Sequence, residues 1–213
     1  VEAVKAGAAS NLARHLSNLS RTGLPVVVSI NRFGTDTDAE LDILRDIATN
    51  SGAESVVLFE GHAKGGEGAK DLAEAVASAA DNHVKNGRPY EPVVLEGDDA
   101  RSRISKVGLE LYGASSVTIS DQAEAALAEI ESWGFGNLPV CMAKTQYSFS
   151  HKSDMLGSPS GFDLPIREIR LNAGAGFIVA VCGSMMTMPG LPTRPGAAGM
   201  DIDENGELFG VFG

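Results

Sequence analysis

The feature that most constrains this chain is a repeated alternation of short apolar runs with helical patterns in its first third. Val26-Val27-Val28-Ser29-Ile30 stands between Gly23-Leu24-Pro25 and the polar loop 31–36. A second run occupies 55–59. Runs this short, rich in β-branched residues and punctuated at both ends, read as strands buried on both faces. Between them Thr37-Asp38-Ala39-Glu40 matches a capping box: the Thr hydroxyl accepts from the third helical N–H while the Glu reaches back. Leu41, Leu44, Ile47 and Ala48 supply the apolar face of the helix that follows, and Gly52 is placed to end it. After the second strand comes the segment 61–68, then a third helix from about 69 to 82 with Leu72, Ala73, Val76, Ala79 and Ala80 on one side. Parallel strands need a crossover of about a dozen residues or more, so strand–helix–strand–helix implies parallel pairing with helices on the sheet faces. The fold class is α/β.

The pattern continues on both sides of this core. Val4, Ala8, Leu12 and Leu16 recur at four-residue spacing, so residues 1–19 read as a helix. That pattern is already under way at Val1, which is not a Met; the expectation is the later part of a longer protein. The linker Asn86-Gly87-Arg88-Pro89-Tyr90-Glu91-Pro92 separates a region 1–85 from a region 86–213. Beyond it, helices are predicted near 101–111 and 121–132, strands at 138–143, 166–171 and 177–181, and a hairpin turn at Glu204-Asn205-Gly206-Glu207. No internal repeat or low-complexity tract is evident.

Charge narrows the function classes. Asp and Glu number 28 against 17 Lys and Arg, a net charge of −11, which argues against a nucleic-acid or anionic-membrane partner because phosphate contacts need a basic face. With 43% hydrophobic and 21% charged residues, bulk disorder is not expected. Cys141 and Cys182 are the only cysteines; they exclude a disulfide scaffold or a Cys-rich zinc site and suit a reducing cytoplasm. The apolar runs 26–30 and 177–182 are far too short to cross a bilayer, and no signal-peptide pattern opens the chain.

Ligands of open α/β sheets bind outside the carboxyl ends of the strands. Two segments fall there. Asn31-Arg32-Phe33-Gly34 ends the first strand: Phe33 either stacks on a planar ring or caps the core, and Asn31 offers donors and an acceptor. His62 and Lys64-Gly65-Gly66-Glu67-Gly68 end the second. Glycines before a helix let the backbone approach an anion, or they form a simple flexible turn. The Gly-x-x-x-x-Gly-Lys-Ser/Thr phosphate loop occurs nowhere. His62 either stacks on a ligand, titrates near neutral pH or caps its strand. No spacing suggests a metal. Asp201-Ile202-Asp203-Glu204-Asn205-Gly206 imitates a calcium loop, but its twelfth position would be Phe212 rather than Glu, so a hairpin is expected. Ser148, Ser150 and His151 suggest a hydrolase only weakly, since no Gly-x-Ser-x-Gly elbow exists. Met185, Met186 and Met188 are expected to fill a core or subunit contact.

Four stretches carry a resemblance. Pro25-Val26-Val27-Val28-Ser29-Ile30-Asn31-Arg32-Phe33, with residues 35–41 after it, resembles the matching stretch of formate–tetrahydrofolate ligase (10-formyltetrahydrofolate synthetase). So do Ala63-Lys64-Gly65-Gly66-Glu67-Gly68, the stretch Leu138-Pro139-Val140-Cys141-Met142-Ala143-Lys144-Thr145-Gln146-Tyr147-Ser148, and Met186-Thr187-Met188-Pro189-Gly190-Leu191-Pro192-Thr193-Arg194-Pro195. The motifs keep the family's order from about residue 10 to the C-terminus.

This resemblance implies an enzyme that joins formate to tetrahydrofolate using ATP and Mg²⁺. Formate attacks the γ-phosphate to give formyl phosphate, and the folate N10 then attacks the formyl carbon. It implies the second half of a P-loop-type parallel α/β domain (1–85) followed by a smaller C-terminal α/β subdomain (86–213). It also implies a homotetramer, and a missing N-terminal half that carries the phosphate loop and most ATP and formyl-phosphate contacts. No catalytic residue or metal ligand is expected here. Part of the folate pocket is: in relatives the pterin lies between a Phe, matched by Phe33, and a Trp, replaced here by His62. Gly34 stands where Pro is frequent, and Leu58 matches an apolar wall. Asn31, Lys64, Gly65 and Gly66 complete the expected ligand edge. Trp133 lies in a different motif from the stacking Trp.

Overall fold

The four-residue apolar spacing at the start of the chain becomes one long helical stretch in the computed structural model, which describes residues 1–185 and 193–210. It runs as α1 (Glu2–Gly7), a π-helical turn (Ala8–Leu12) and α2 (Ala13–Ser20). Ala8 and Leu16 are buried and Val4 and Leu12 half-buried, so the expected face is the one that packs. The wide turn has an outside partner: the Ser158 hydroxyl donates to the Ser10 carbonyl at 2.9 Å, and the Ser158 amide donates to the Ser10 hydroxyl at 2.9 Å. Widened helical turns leave backbone groups open to such contacts.

β1 (Val27–Asn31) follows, then α3 (Asp38–Asn50) and β2 (Ser55–Phe59). The strands pair in parallel, from Val27 opposite Ser55 to Asn31 opposite Phe59. The capping box forms as expected, with the Glu40 amide 3.4 Å from the Thr37 hydroxyl and the Thr37 amide 3.1 Å from the Glu40 carboxylate. Leu41 and Ala48 are buried beneath α3, and Gly52, at φ +96°, turns the chain out of it. The segment after β2 is not an open loop. It coils as α4 (Gly61–Lys64) and a 3-10 turn (Gly65–Ala69) before α5 (Lys70–Asn86).

Burial of this sheet departs from the expectation of strands covered on both faces. Only Ile30 is buried; Ser29 and Asn31 are exposed and all of β2 is half-buried. Among the described residues each strand has one neighbour, so both outer edges are free. α5 is likewise thinly covered, with Ala79 buried but Val76 50% exposed.

The deep core lies further along. α6 (Ala100–Lys106), capped by the Asp99 carboxylate on the Ser102 amide at 2.7 Å, runs into a second π-helical turn (Val107–Leu111). Then come β3 (Ser116–Ile119), α7 (Asp121–Ser132) capped by Ser120, β4 (Val140–Ala143), β5 (Asp163–Asn172) and β6 (Phe177–Cys182). These strands form a mixed sheet in the order β3-β5-β6-β4, parallel at β3–β5 and β4–β6 and antiparallel at β5–β6. A bulge at Arg167 shifts the β5–β6 register, since Ile166 faces Cys182 while Glu168 faces Val181. Ile104, Leu127, Leu164, Ile166 and Ile178 are fully buried around this sheet. The opening helices are tied to the same region: the Asn18 side-chain amide donates to the Leu111 carbonyl at 2.9 Å, and Arg21 pairs with Glu110.

Residues Val1–Gly183 make up one compact unit and Ser184–Gly213 a second. In the second, a 3-10 turn (Gly196–Gly199) precedes the two-residue strands β7 (Asp201–Ile202) and β8 (Leu208–Phe209), paired antiparallel. The Asp203 carboxylate accepts from the Asn205 and Glu207 amides at 2.9 and 2.8 Å, and Gly206 sits at φ +83°. The acidic segment is therefore the expected hairpin, its aspartate spent on the turn. Met185 is half-buried; Met186, Met188, residues 189–192 and Phe212 lie outside the described residues. No helix among those described is long and apolar enough to cross a membrane.

Leu164 is 0% exposed on a strand with a neighbour on each side. Its truncation removes buried methyl groups from a packed site, so Leu164→Ala is expected to cost about 3 kcal/mol in urea unfolding, as a lower midpoint at unchanged slope. A cost under about 1 kcal/mol would place the stabilising core elsewhere.

Candidate functional site

Parallel register brings the carboxyl ends of β1 and β2 level, and the ladder runs one bond further: the Arg32 amide donates to the Phe59 carbonyl at 3.0 Å. The chain then closes a tight turn. The Phe33 amide donates to the Asp36 carboxylate at 2.8 Å, and the Asp36 amide returns to the Phe33 carbonyl at 3.1 Å. This turn holds the Phe33 ring outward, 63% exposed, so Phe33 does not cap the core. A large ring held in solvent at a sheet's carboxyl edge is a flat apolar face free to stack. Gly34 beside it borders open space.

The end of β2 is organised by Glu60. Its carbonyl accepts from the Ala63 and Lys64 amides at 3.1 and 2.9 Å, starting α4, while its own amide donates to the Gly68 carbonyl at 3.1 Å. A Cβ on Gly61 would collide with the Phe59 ring and one on Gly68 with the Glu60 carbonyl, so these two glycines are demanded by close approach. Gly65 adopts φ +59°, and Gly66 faces open space. The Lys64 ammonium lies 2.5 Å from the Glu60 carboxylate. That hydrogen bond, aided by the Lys64 and Arg32 charges, holds the Glu60 carboxyl below its usual range. Arg32 itself lies 3.5 Å from Asp38.

The expected residues therefore divide. Asn31, Phe33, Gly34, His62, Lys64, Gly65 and Gly66 are all exposed on the segments that leave this one edge. Leu58 is half-buried one step inside it, opposite Ile30. Phe33 and His62 make no ring contact with each other. The Lys64 ammonium is already engaged by a carboxylate, and an anion at the glycine turn would have to compete with Glu60. No group of three or more His, Cys, Asp or Glu side chains among the described residues could hold a metal ion. Chemically, the edge offers an aromatic face, an imidazole and amide groups: the equipment for a planar ligand with a polar rim.

Two contributors escaped the sequence reading. Asp36 and Glu60 shape the edge, and each had a local signal: an Asp three residues after Phe33, and a Glu four residues before a Lys at a helix start. Ser148 and Ser150, by contrast, are both buried and engaged in local structure. The two hydroxyls lie 3.0 Å apart and accept from the amides of Ser150 and Lys152 at 2.9 and 3.0 Å, closing two successive serine turns.

Because the Lys64 hydrogen bond holds the Glu60 carboxyl below the ordinary glutamate range, its ion pair contributes fully above that range and is lost as pH falls through the folded pKa. In Lys64→Met the Glu60 carboxyl is expected to titrate higher, toward 4.5, in a carbon-detected NMR titration. An unmoved midpoint would contradict the Lys64 clamp.

The sequence profile of the formate–tetrahydrofolate ligase family matches residues 1–212. The formate–tetrahydrofolate ligase of Methylobacterium nodulans is 45% identical over 204 residues, covering 95% of this chain and 36% of that protein. The enzymes of that name from Paracoccus denitrificans and Symbiobacterium thermophilum are 46% and 44% identical over 212 and 213 residues, covering 100% of this chain and 37% of each relative. The chain thus spans well under half the length of these curated relatives.

Proposed function

The chain belongs to the formate–tetrahydrofolate ligase family, and on that premise we propose that it serves the ATP-dependent joining of formate to tetrahydrofolate, by way of formyl phosphate, and supplies part of the folate pocket. The observation that carries this reading is Phe33, an aromatic ring 63% exposed at the carboxyl edge of a parallel strand pair and held outward by its own turn. In the proposal the pterin lies on Phe33, with Leu58 as an apolar wall, Gly34 leaving room at the ring's edge, and the Asn31 amide and the glycine turn available to its polar rim. His62 takes the opposite position with less stacking area than an indole.

Within this reading, residues 1–85 are the second half of a P-loop-type α/β domain and 86–213 a smaller α/β subdomain, in a cytoplasmic homo-oligomer with neither nucleic acid nor membrane as partner. ATP and Mg²⁺ belong to the whole enzyme. The donors of the β1–β2 edge do not fit them: the one lysine of the glycine turn is paired with Glu60, and no metal-ligand cluster is present among the described residues. No step of phosphoryl transfer is therefore assigned to this chain, which acts with the remaining portion of the protein and is inactive alone. The replacement of the family's Trp by His62 favours one alternative, a chain that binds folate or supports assembly without catalysis.

Titration calorimetry with tetrahydrofolate tests the proposal. Wild type is expected to bind, Phe33→Ala to lose tenfold or more in affinity, and His62→Trp to gain several-fold, the equivalent of about 1 kcal/mol of added stacking. Equal binding by wild type and Phe33→Ala would place the pterin elsewhere, and turnover of ATP with formate by this chain alone would contradict the division of labour.

A further inference from the structure

Away from that edge, three basic side chains gather on one aromatic ring. Phe149 is buried; the Arg14 guanidinium carbon lies 5.9 Å from its centroid, the Lys144 ammonium 5.8 Å, and the His15 ring 4.9 Å. Lys144 is also 5.0 Å from the Tyr112 centroid. Among the described residues no carboxylate lies within ion-pair distance of any of the three, although the chain carries 28 acidic residues against 17 Lys and Arg.

The Lys144 ammonium donates to the Thr145 carbonyl at 3.0 Å and to the Ser148 carbonyl. These neutral partners use two of its three protons and leave its charge uncompensated. Partial burial pushes the group below the ordinary lysine range, the mark of a cation that lacks a counter-ion. Beside it opens a cavity of about 230 Å³ whose lining includes Asn11, His15, Lys144, Gln146, Tyr147 and Phe149. Its lining holds ammonium, amide, imidazole and hydroxyl groups and no carboxylate, and shares no residue with the β1–β2 edge.

We propose that this cavity binds a small oxyanion, a carboxylate or a phosphate group, with Lys144 as its counter-charge, Asn11, Gln146 and the His15 ring as further donors, and the Tyr112 and Phe149 rings as its apolar walls. The anion supplies the counter-charge that Lys144 lacks, and the walls accept an apolar or aromatic body attached to it.

Thermal unfolding and calorimetry across concentration series of sodium phosphate and of sodium benzoate, at ionic strength fixed with sodium chloride, test this. The expected result is a saturable rise in Tm with at least one anion, and an affinity weakened tenfold or more in Lys144→Met and several-fold in Gln146→Leu. Lys85→Met, which removes an exposed lysine of α5, is expected to bind as wild type. A response to phosphate alone or to benzoate alone identifies which oxyanion the site takes. A non-saturating response of the wild type to both anions would overturn the proposal without reference to any variant. So would equal affinity in a folded Lys144→Met.

Discussion

The parallel register of β1 on β2 is the constraint on which the candidate site depends. With Asn31 opposite Phe59, the next amide, Arg32, still reaches the β2 backbone. The two connections therefore leave the sheet side by side, one into the Phe33 turn and the other into the Glu60 turn. Side chains alternate along a strand, so a slip of one residue would send Ile30 to solvent and break the pairing of the two loops. The capping box at Thr37 acts on the same geometry from the other side, because it fixes where α3 begins and hence how much chain is left for the Phe33 turn.

This edge is held by local bonds more than by depth of core. β1 and β2 bury a single residue, Ile30, whereas the mixed sheet encloses Leu127, Leu164, Ile166 and Ile178. The opening helical stretch joins the two parts, with α1 and α2 packed on α3 while Ser10, Asn18 and Arg21 bond to Ser158, Leu111 and Glu110. The Asp36 carboxylate on the Phe33 amide and the Lys64–Glu60 pair then fix the loops themselves. Loops pinned in this way on a supported frame present their side chains to a ligand at little ordering cost.

What the sequence disclosed depended on how local each signal was. The capping box, the exit at Gly52, the opening helix and the hairpin at 204–207 each follow from a few neighbouring residues, and each is present. β3 was missed because Ser116-Val117-Thr118-Ile119 is short and polar on alternate positions; it becomes a strand by pairing with β5, a partner 47 residues away. The bulge at Arg167 is likewise a property of the pair. The glycine segment reads as a loop because glycine disfavours helix, yet backbone bonds at Glu60 coil it, in a space that admits only glycine at 61 and 68. Double-sided burial of β1 and β2 was inferred from composition, and composition does not say how many neighbours a strand has. For the site, the sequence pointed to the edge and to Phe33 with two roles for the ring, of which its exposure removes the core-capping one. The basic cluster around Phe149 was invisible beforehand, since Arg14, His15 and Lys144 meet only through tertiary packing.

In the proposed complex a pterin lies on the Phe33 face. Intermolecular nuclear Overhauser effects in the complex of this chain with tetrahydrofolate test it most directly. Contacts are expected from the pterin ring protons to the Phe33 ring, with weaker ones to the Leu58 methyl groups and the His62 ring. Pterin contacts confined to residues away from the carboxyl ends of β1 and β2 would contradict it.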